Sequence, residues 1–118
     1  MSYTNKKNGN KIFIKMAKKF EKGYKEDSGK IMMDLIPTEL LEEVGKVLTH
    51  GAKKYEPRNW EKGMSWRRVY AALQRHLWVW LKGETIDKDS KISHLSHAAC
   101  NIAFLIAYEK RKTGEDDR

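Results

Sequence analysis

Three polar residues recur on one face of a predicted helix in the second half of the chain. His94, His97 and Asn101 are spaced i, i+3 and i+7, so their side chains project from the same side of an α-helix. That face also carries Ala98 and Leu105, residue types that are common in protein cores. Buried imidazole and amide groups are costly without hydrogen bonds. The pattern predicts that a metal ion, a carboxylate or a polar ligand partners this face.

Acidic side chains that could serve as those partners lie in two other places. Glu39 and Glu42 are one turn apart on an earlier predicted helix, with Glu43 beside them, and carboxylates at that spacing can share Mg²⁺ or Mn²⁺. A solvated acidic face at a helix N-terminus explains the same residues. Glu84 and Asp87 precede the His-rich helix. They could complete a metal shell, act as acid or base, or only cap helix ends.

Basic and aromatic side chains that suit a nucleotide cluster between the first two predicted helices. Lys and Arg bind phosphates and aromatic rings stack on bases; the candidates here are Lys53, Lys54, Tyr55, Arg58 and Trp60. Trp60 equally suits a plug that holds this loop on the core. Lys30 follows a Ser-Gly turn that could offer backbone amides to a phosphate, and His76 is either a structural histidine or a fourth polar group facing the same cavity.

Apolar spacing predicts three helices and no sheet, which is an all-α bundle. The first helix begins after Pro37 and ends at Gly51, a structured loop covers 52–64, the second helix spans 65–82 with Ser65 as N-cap, and the third spans 93–111. The predicted buried face of the second helix comprises Trp66, Val69, Tyr70, Leu73, Leu77 and Trp80. The third helix is apolar around much of its girth, so we expect a dimer or larger homo-oligomer to complete the core.

Composition predicts one domain of modest core in a chain of 118 residues. Residues 1–27 form a basic leader, either partly disordered or packed on a partner subunit, with a short strand at 11–15 and a helical turn at 16–20. Residues 28–112 are predicted to form the all-α domain, and 113–118 a polar, frayed tail.

The net charge of +8 favours anionic partners. Without an apolar run of membrane-spanning length or a secretory signal, we expect a cytoplasmic protein with no membrane partner, and an inert, buried thiol at Cys100.

Several short motifs in order resemble a known family. They are D-S-G-K from Asp27, D-L-I-P from Asp34, G-A-K-K-Y from Gly51, N-W from Asn59, R-H-L from Arg75, G-E from Gly83, then Asp87 and H-L-S-H-A-A-C-N from His94. The resemblance covers about residues 24–111. This series resembles the N-terminal domain of phage-type dATP/dGTP diphosphohydrolases, a family related to the MazG-like all-α NTP pyrophosphatases.

The resemblance implies a domain that binds a purine deoxynucleoside triphosphate and hydrolyses it, with a metal, to a monophosphate and pyrophosphate. If the domain is such an enzyme, the two polar helix faces predict Glu39, Glu42, His97 and Asn101 as the ligands of Mg²⁺ or Mn²⁺, with His94 and His76 in contact with those ligands. The predicted catalytic carboxylates are Glu43, Glu84 and Asp87. Asn59 and Arg75 join the nucleotide-binding candidates given above.

One departure from the family pattern keeps other functions open. MazG-like enzymes carry E-x-x-E on one helix and E-x-x-D on another; Glu39 and Glu42 match the first, but His94, His97 and Asn101 stand where the second is expected. A phage protein that sequesters cyclic or ADP-ribose-type immune signals without cutting them fits this change. The charge alone would also suit a nucleic-acid-binding accessory protein, a weaker alternative because such binding is sequence-independent.

Overall fold

A computed structural model describes residues 22–118 of the chain. The strand and helical turn predicted at 11–15 and 16–20 lie outside the described residues. The chain divides into a unit that ends at Met33 and a second unit, Asp34–Arg118. In the first unit the Ser-Gly turn forms as expected, because the amide of Lys30 donates to the carbonyl of Asp27 at 3.1 Å.

The second unit contains the three predicted helices. They are α1 (Thr38–Lys54), α2 (Trp66–Leu81) and α3 (His94–Arg111), with a short 3₁₀ helix at Asn59–Lys62. A second 3₁₀ helix, Met33–Leu35, spans the sequence boundary between the units. No strand is present in residues 22–118, where the bridges Ser65–Glu115 and Ile86–Ser93 are isolated. The all-α prediction is therefore confirmed.

Helix α3 is the centre of the arrangement, since α1 and α2 both pack on it. Contacts between His76 and His94 at one end, and between Trp66 and Thr113 at the other, show that α2 runs antiparallel to α3. The buried side chains of residues 22–118 lie mostly on α3. They are Val69 and Leu73 from α2, and His94, Ser96, Ala98, Cys100 and Tyr108 from α3.

Serine caps start α2 and α3 where the sequence predicts. The hydroxyl of Ser65 accepts from the amide of Arg68, and that of Ser93 accepts from the amide of Leu95. The predicted end of α1 at Gly51 is wrong. The helix continues to Lys54 and closes with a bond from the amide of Tyr55 to the carbonyl of Gly51. The predicted loop at 52–64 thus begins with helix and contains the 3₁₀ helix at Asn59–Lys62.

Part of the predicted buried face of α2 is exposed within one chain. Tyr70 and Leu77 remain 51% and 41% exposed, and Trp80 is 41% exposed, because neither α1 nor any other described element covers that side of α2. No helix within residues 22–118 is long and apolar enough to cross a membrane.

The polar tail is bound to the start of α2, whereas its sequence predicts fraying. Glu115 exchanges backbone hydrogen bonds with Met64 and Trp66 at 3.2 and 2.9 Å. The close approach depends on Gly114, whose φ is +79° and where a Cβ would lie 2.5 Å from the carbonyl oxygen of Met64. These backbone bonds, together with the carboxylate of Asp117, which accepts from the hydroxyl of Ser65 at 2.6 Å and the amide of Arg67 at 3.0 Å, fix the tail.

Candidate functional site

Three imidazoles from α2 and α3 meet at the N-terminal end of α3. His76, His94 and His97 form this histidine cluster. The Nδ1 atoms of His76 and His94 are 2.9 Å apart, and the ring of His76 stacks on that of His97 with 4.5 Å between centroids and 5° between planes. The antiparallel pairing of α2 and α3 accounts for the meeting, because it brings the last turns of α2 to the first turns of α3. The structure thus brings His76 to the predicted polar face.

Glu84 closes one side of the histidine cluster. Its Oε2 lies 2.7 Å from Nε2 of His94, whose side chain is almost completely buried. The hydrogen bond from His94 lowers the pKa of Glu84, so the carboxylate is ionised and accepts the Nε2 proton. Both ring nitrogens of His94 are consequently engaged, one by a carboxylate and one by a second imidazole.

Asp87 closes the other side through a serine. Ser90 donates its hydroxyl proton to Oδ2 of Asp87 at 2.7 Å, and the same hydroxyl oxygen lies 2.6 Å from Nε2 of His97. Asp87 itself is 3.8 Å from that nitrogen, beyond hydrogen-bonding distance. Burial raises the pKa of Asp87, but two hydrogen bonds from Ser90 and the neighbouring His97 outweigh this and lower it overall.

The connection between α2 and α3 is shaped to present these acidic groups. The amide of Asp87 donates to the carbonyl of Ile92 at 2.9 Å, and the amide of Lys91 donates back to the carbonyl of Asp87 at 2.8 Å. Lys91 adopts a φ of +64° to close this small turn, and the amide of His94 is bonded to the carbonyl of Thr85. The loop is a hydrogen-bonded platform at the entry to α3.

Burial favours the neutral forms of two of the imidazoles. It is the main cause of the lowered pKa of His76, to which the nearby His97 and His94 add. Burial also lowers the pKa of His97, opposed by Asp87 and assisted by His50 of α1. At neutral pH these two rings are uncharged. Each therefore has one protonated and one unprotonated nitrogen.

The carboxylates of α1 differ in their surroundings, since Glu43 is hydrogen-bonded to α3 and two others are exposed. Glu43 accepts a hydrogen bond from Ser96 at 2.7 Å and pairs with Lys46, and these bonds lower its pKa. It thereby ties α1 to the buried face of α3. Glu39 and Glu42 are exposed. Asn101 is half-buried. Within residues 22–118, no group of three His, Cys, Asp or Glu side chains is placed to hold a metal ion. The metal ligands therefore remain a prediction.

Trp60 lies in the position expected of a plug. Its ring stacks on Phe104 with 4.8 Å between centroids, and its carbonyl accepts the hydroxyl proton of Tyr108 at 2.6 Å. The guanidinium of Arg111 lies over the ring at 5.3 Å while bonded to Glu61. These contacts fix the Asn59–Lys62 segment on the C-terminal half of α3.

The other nucleotide-binding candidates are mostly exposed. Those in the second unit are Lys53 and Lys54 at the end of α1, Tyr55 beside them, Arg58, half-buried Asn59, and Arg75 next to His76 on α2. Arg58 pairs with Glu61, and Lys54 lies over the ring of Tyr55. Lys30 is exposed in the first unit.

Three residues of the site were not among the sequence candidates. Ser90 and Ser96 link carboxylates to the histidine face, and His50 influences His97 from α1. The Asp-x-x-Ser spacing at 87–90 is a signal for the first, because Asp side chains often bond the backbone and hydroxyls of a following turn. Ser96 lies between the two histidines on α3, and only the packing of α1 reveals its partner.

Comparison with known proteins identifies the family of the chain. The family model for the N-terminal region of dATP/dGTP diphosphohydrolases matches residues 20–118. The chain belongs to this family. A protein of Salmonella phage PMBT28 named dATP/dGTP diphosphohydrolase is 33% identical over 96 residues, which cover 81% of this chain and 33% of that protein. The family member described here thus spans about a third of that relative, and no solved structure matches it.

Proposed function

We propose that this chain is the nucleotide-hydrolysing domain of a phage enzyme that converts dATP or dGTP to the monophosphate and pyrophosphate. Membership of the diphosphohydrolase family supports the substrate class. The observation that supports a chemical role is the histidine cluster, in which four of the six ring nitrogens are bound to a carboxylate, a hydroxyl or each other. Apolar side chains often make a helix contact that is as stable as a buried ionic network or more stable.

A divalent metal fits the chemistry of the available donors. Glu39 and Glu42 offer carboxylate oxygens, Asn101 an amide oxygen and His97 a neutral ring nitrogen, and this mixture suits Mn²⁺ as well as Mg²⁺. Such an ion would neutralise phosphate charge and lower the pKa of a bound water. The residues of this chain supply the rest. Glu84 and Asp87 orient the imidazoles, and the exposed Lys and Arg side chains bind phosphate oxygens.

The test is incubation with each of the dNTPs and NTPs, with Mg²⁺ or Mn²⁺, followed by chromatography of the products. We expect a monophosphate and pyrophosphate from dATP or dGTP. Glu42→Gln and His97→Ala should each lower turnover, whereas Glu109→Gln, an exposed carboxylate at the far end of α3, should not. Turnover that is unchanged in the first two variants would contradict the proposed ligand set. Intact nucleotide recovered from a complex would favour the sequestering function instead.

We further propose that a second copy of the chain covers the exposed side of α2. Tyr70, Leu77, Trp78 and Leu81 are on that side and are between 41% and 74% exposed. An apolar stripe of this size along one helix is typical of a surface that packs against another helix. Sedimentation equilibrium of the chain should therefore give a dimer or larger species. A monomer over the whole concentration range would contradict this proposal but not the hydrolase.

A further inference from the structure

We propose that Ser90 is a positioning residue. Its hydroxyl donates to Asp87 and accepts from Nε2 of His97, which fixes the ring proton of His97 on Nε2 and leaves Nδ1 unprotonated. Nδ1 is then the atom through which His97 meets a metal or a proton. This inference rests on the proposed function only for the use made of Nδ1. The assignment of the proton follows from the hydrogen bonds alone.

The one proton and two lone pairs of the Ser90 hydroxyl decide the direction of its hydrogen bond with His97. Its one proton goes to Asp87, whose Oδ2 also accepts the backbone amide of Ser90 at 3.0 Å. Its oxygen accepts the amide of Ile92 at 3.2 Å, which leaves one lone pair. The group 2.6 Å from that lone pair is Nε2 of His97, so Nε2 must be the donor. The opposite tautomer would take the serine proton away from an ionised carboxylate.

The second side of the histidine cluster follows the same logic. Glu84 requires a proton on Nε2 of His94, so in the neutral ring Nδ1 of His94 accepts. Its neighbour at 2.9 Å, Nδ1 of His76, is then the donor, and Nε2 of His76 is unprotonated. Two carboxylates thus fix the protons of two stacked rings, one through a serine and one through a histidine. A carboxylate behind a histidine commonly orients a ring toward its ligand.

The experiment is ¹⁵N NMR of the imidazole nitrogens in the metal-free full chain, at a pH well above the ordinary histidine pKa of about 6.5. The two nitrogens of a neutral ring have widely separated shifts, and the order of the shifts identifies the protonated one. For His97 we expect protonated Nε2 in the unchanged chain and in Ser90→Thr. Ser90→Ala should give a mixture of tautomers. Asp87→Ala should shift His97 toward protonated Nδ1, because the freed serine proton can then be donated to Nε2.

Each outcome bears on the inference. Protonated Nδ1 in the unchanged chain, or an unaltered tautomer in Ser90→Ala, would overturn it. If Ser90→Ala loses helical circular dichroism, the Asp87→Ala spectrum decides instead. Metal affinity from titration with Mn²⁺ should fall about 10- to 100-fold in Ser90→Ala and be retained in Ser90→Thr. Absence of dNTP turnover in the unchanged chain would refute the proposed hydrolase and leave the tautomer result standing.

Discussion

Two loops cover the two halves of α3 and use different interactions to do so. At the aromatic end, defined by Trp60, Phe104 and Tyr108, ring stacking and one hydroxyl bond hold the Asn59–Lys62 segment. At the histidine end, the loop at 82–93 meets α3 through the carboxylates of Glu84 and Asp87. Tyr108 and His94 are comparably buried, at 0% and 3% exposed. Burial alone therefore does not distinguish the two ends.

The difference lies in what each end can do besides fold. Apolar contacts gain stability simply by leaving water, whereas a buried polar network is stable only while every member has its partner. Among the described residues, every buried side-chain nitrogen and oxygen is satisfied. The histidine end thus gains fixed proton positions, and the aromatic end gains stability. This comparison can be tested by perturbing each end separately.

The largest effect is expected from Trp60→Ala. Loss of the stack on Phe104 leaves a cavity, and such truncations lower the free energy of unfolding by about 3 kcal/mol or more. Urea denaturation followed by circular dichroism measures the loss, with Trp60→Phe as the control that keeps an aromatic ring. The His97 tautomer should be unchanged in the folded variant. A changed tautomer would mean that the two ends form one unit.

A smaller effect is expected from pH at the histidine end. Because the folded-state pKa values of His76 and His97 are lowered, the unfolded chain binds more protons below about pH 6.5. The free energy of unfolding should therefore decrease as pH falls from that value to the folded-state pKa values, and this contribution then levels off. Asp87, Arg75, His50 and His94 also influence the pKa values of these rings.

The measurement is urea denaturation of the chelator-treated chain at a series of pH values. The carboxylates of Glu84 and Asp87 have lowered pKa values, so their contribution is lost only in more acidic solution. His76→Asn keeps a donor for His94 but cannot titrate, and it should flatten the slope in the histidine range. An equal slope in this variant would show that His76 does not carry the effect.

Sequence patterns were sufficient for the helices but not for all of their surroundings. Ser65 and Ser93 mark helix starts because their hydroxyls satisfy free amides locally, within three residues. Gly51 was misleading because a glycine ends a helix only where the backbone turns left-handed, and here it does not. The tail was missed because backbone bonds to Met64 and Trp66 connect segments some fifty residues apart.

The same distinction between local and long-range interactions applies to the candidate site. The helical spacing of His94 and His97 and the nearness of Glu84 and Asp87 in sequence made these residues candidates for one site, but did not predict the bond from His94 to Glu84. The roles of Ser90 and Ser96 depend on the loop conformation and on how α1 packs, neither of which has a periodic signal. Whether Glu39 and Glu42 act with His97 depends on a metal and remains a prediction.

An intermediate effect is expected from Trp78→Glu, which tests α2 outside both ends. Trp78 is 64% exposed, so in a single chain the substitution should change the free energy of unfolding by about 0.5 kcal/mol or less. In a dimer that buries this face, a charge would dissociate the copies. Sedimentation equilibrium should show the change in mass, with Thr49→Glu on the exposed side of α1 as a control that adds the same single negative charge. Equal masses for both variants would place the interface elsewhere.

The smallest effects compare one backbone position in each loop. Arg58 and Lys91 both have a φ of +64°, a conformation that costs a side-chain-bearing residue about 1 kcal/mol. Glycine removes that cost but adds about 0.5–1 kcal/mol of chain entropy on folding. We expect Lys91→Gly to change the free energy of unfolding by less than about 0.5 kcal/mol, with the tautomer of His97 preserved.

Arg58→Gly should lower the free energy of unfolding slightly more than Lys91→Gly, because it also removes the exposed ion pair with Glu61. Such pairs contribute about 0–1 kcal/mol. Parallel urea titrations of the two variants measure the difference. A loss above 1 kcal/mol in Lys91→Gly would contradict the structure. It would mean that the Lys91 side chain, not the backbone bond from its amide to Asp87, holds the loop that orients the histidine cluster.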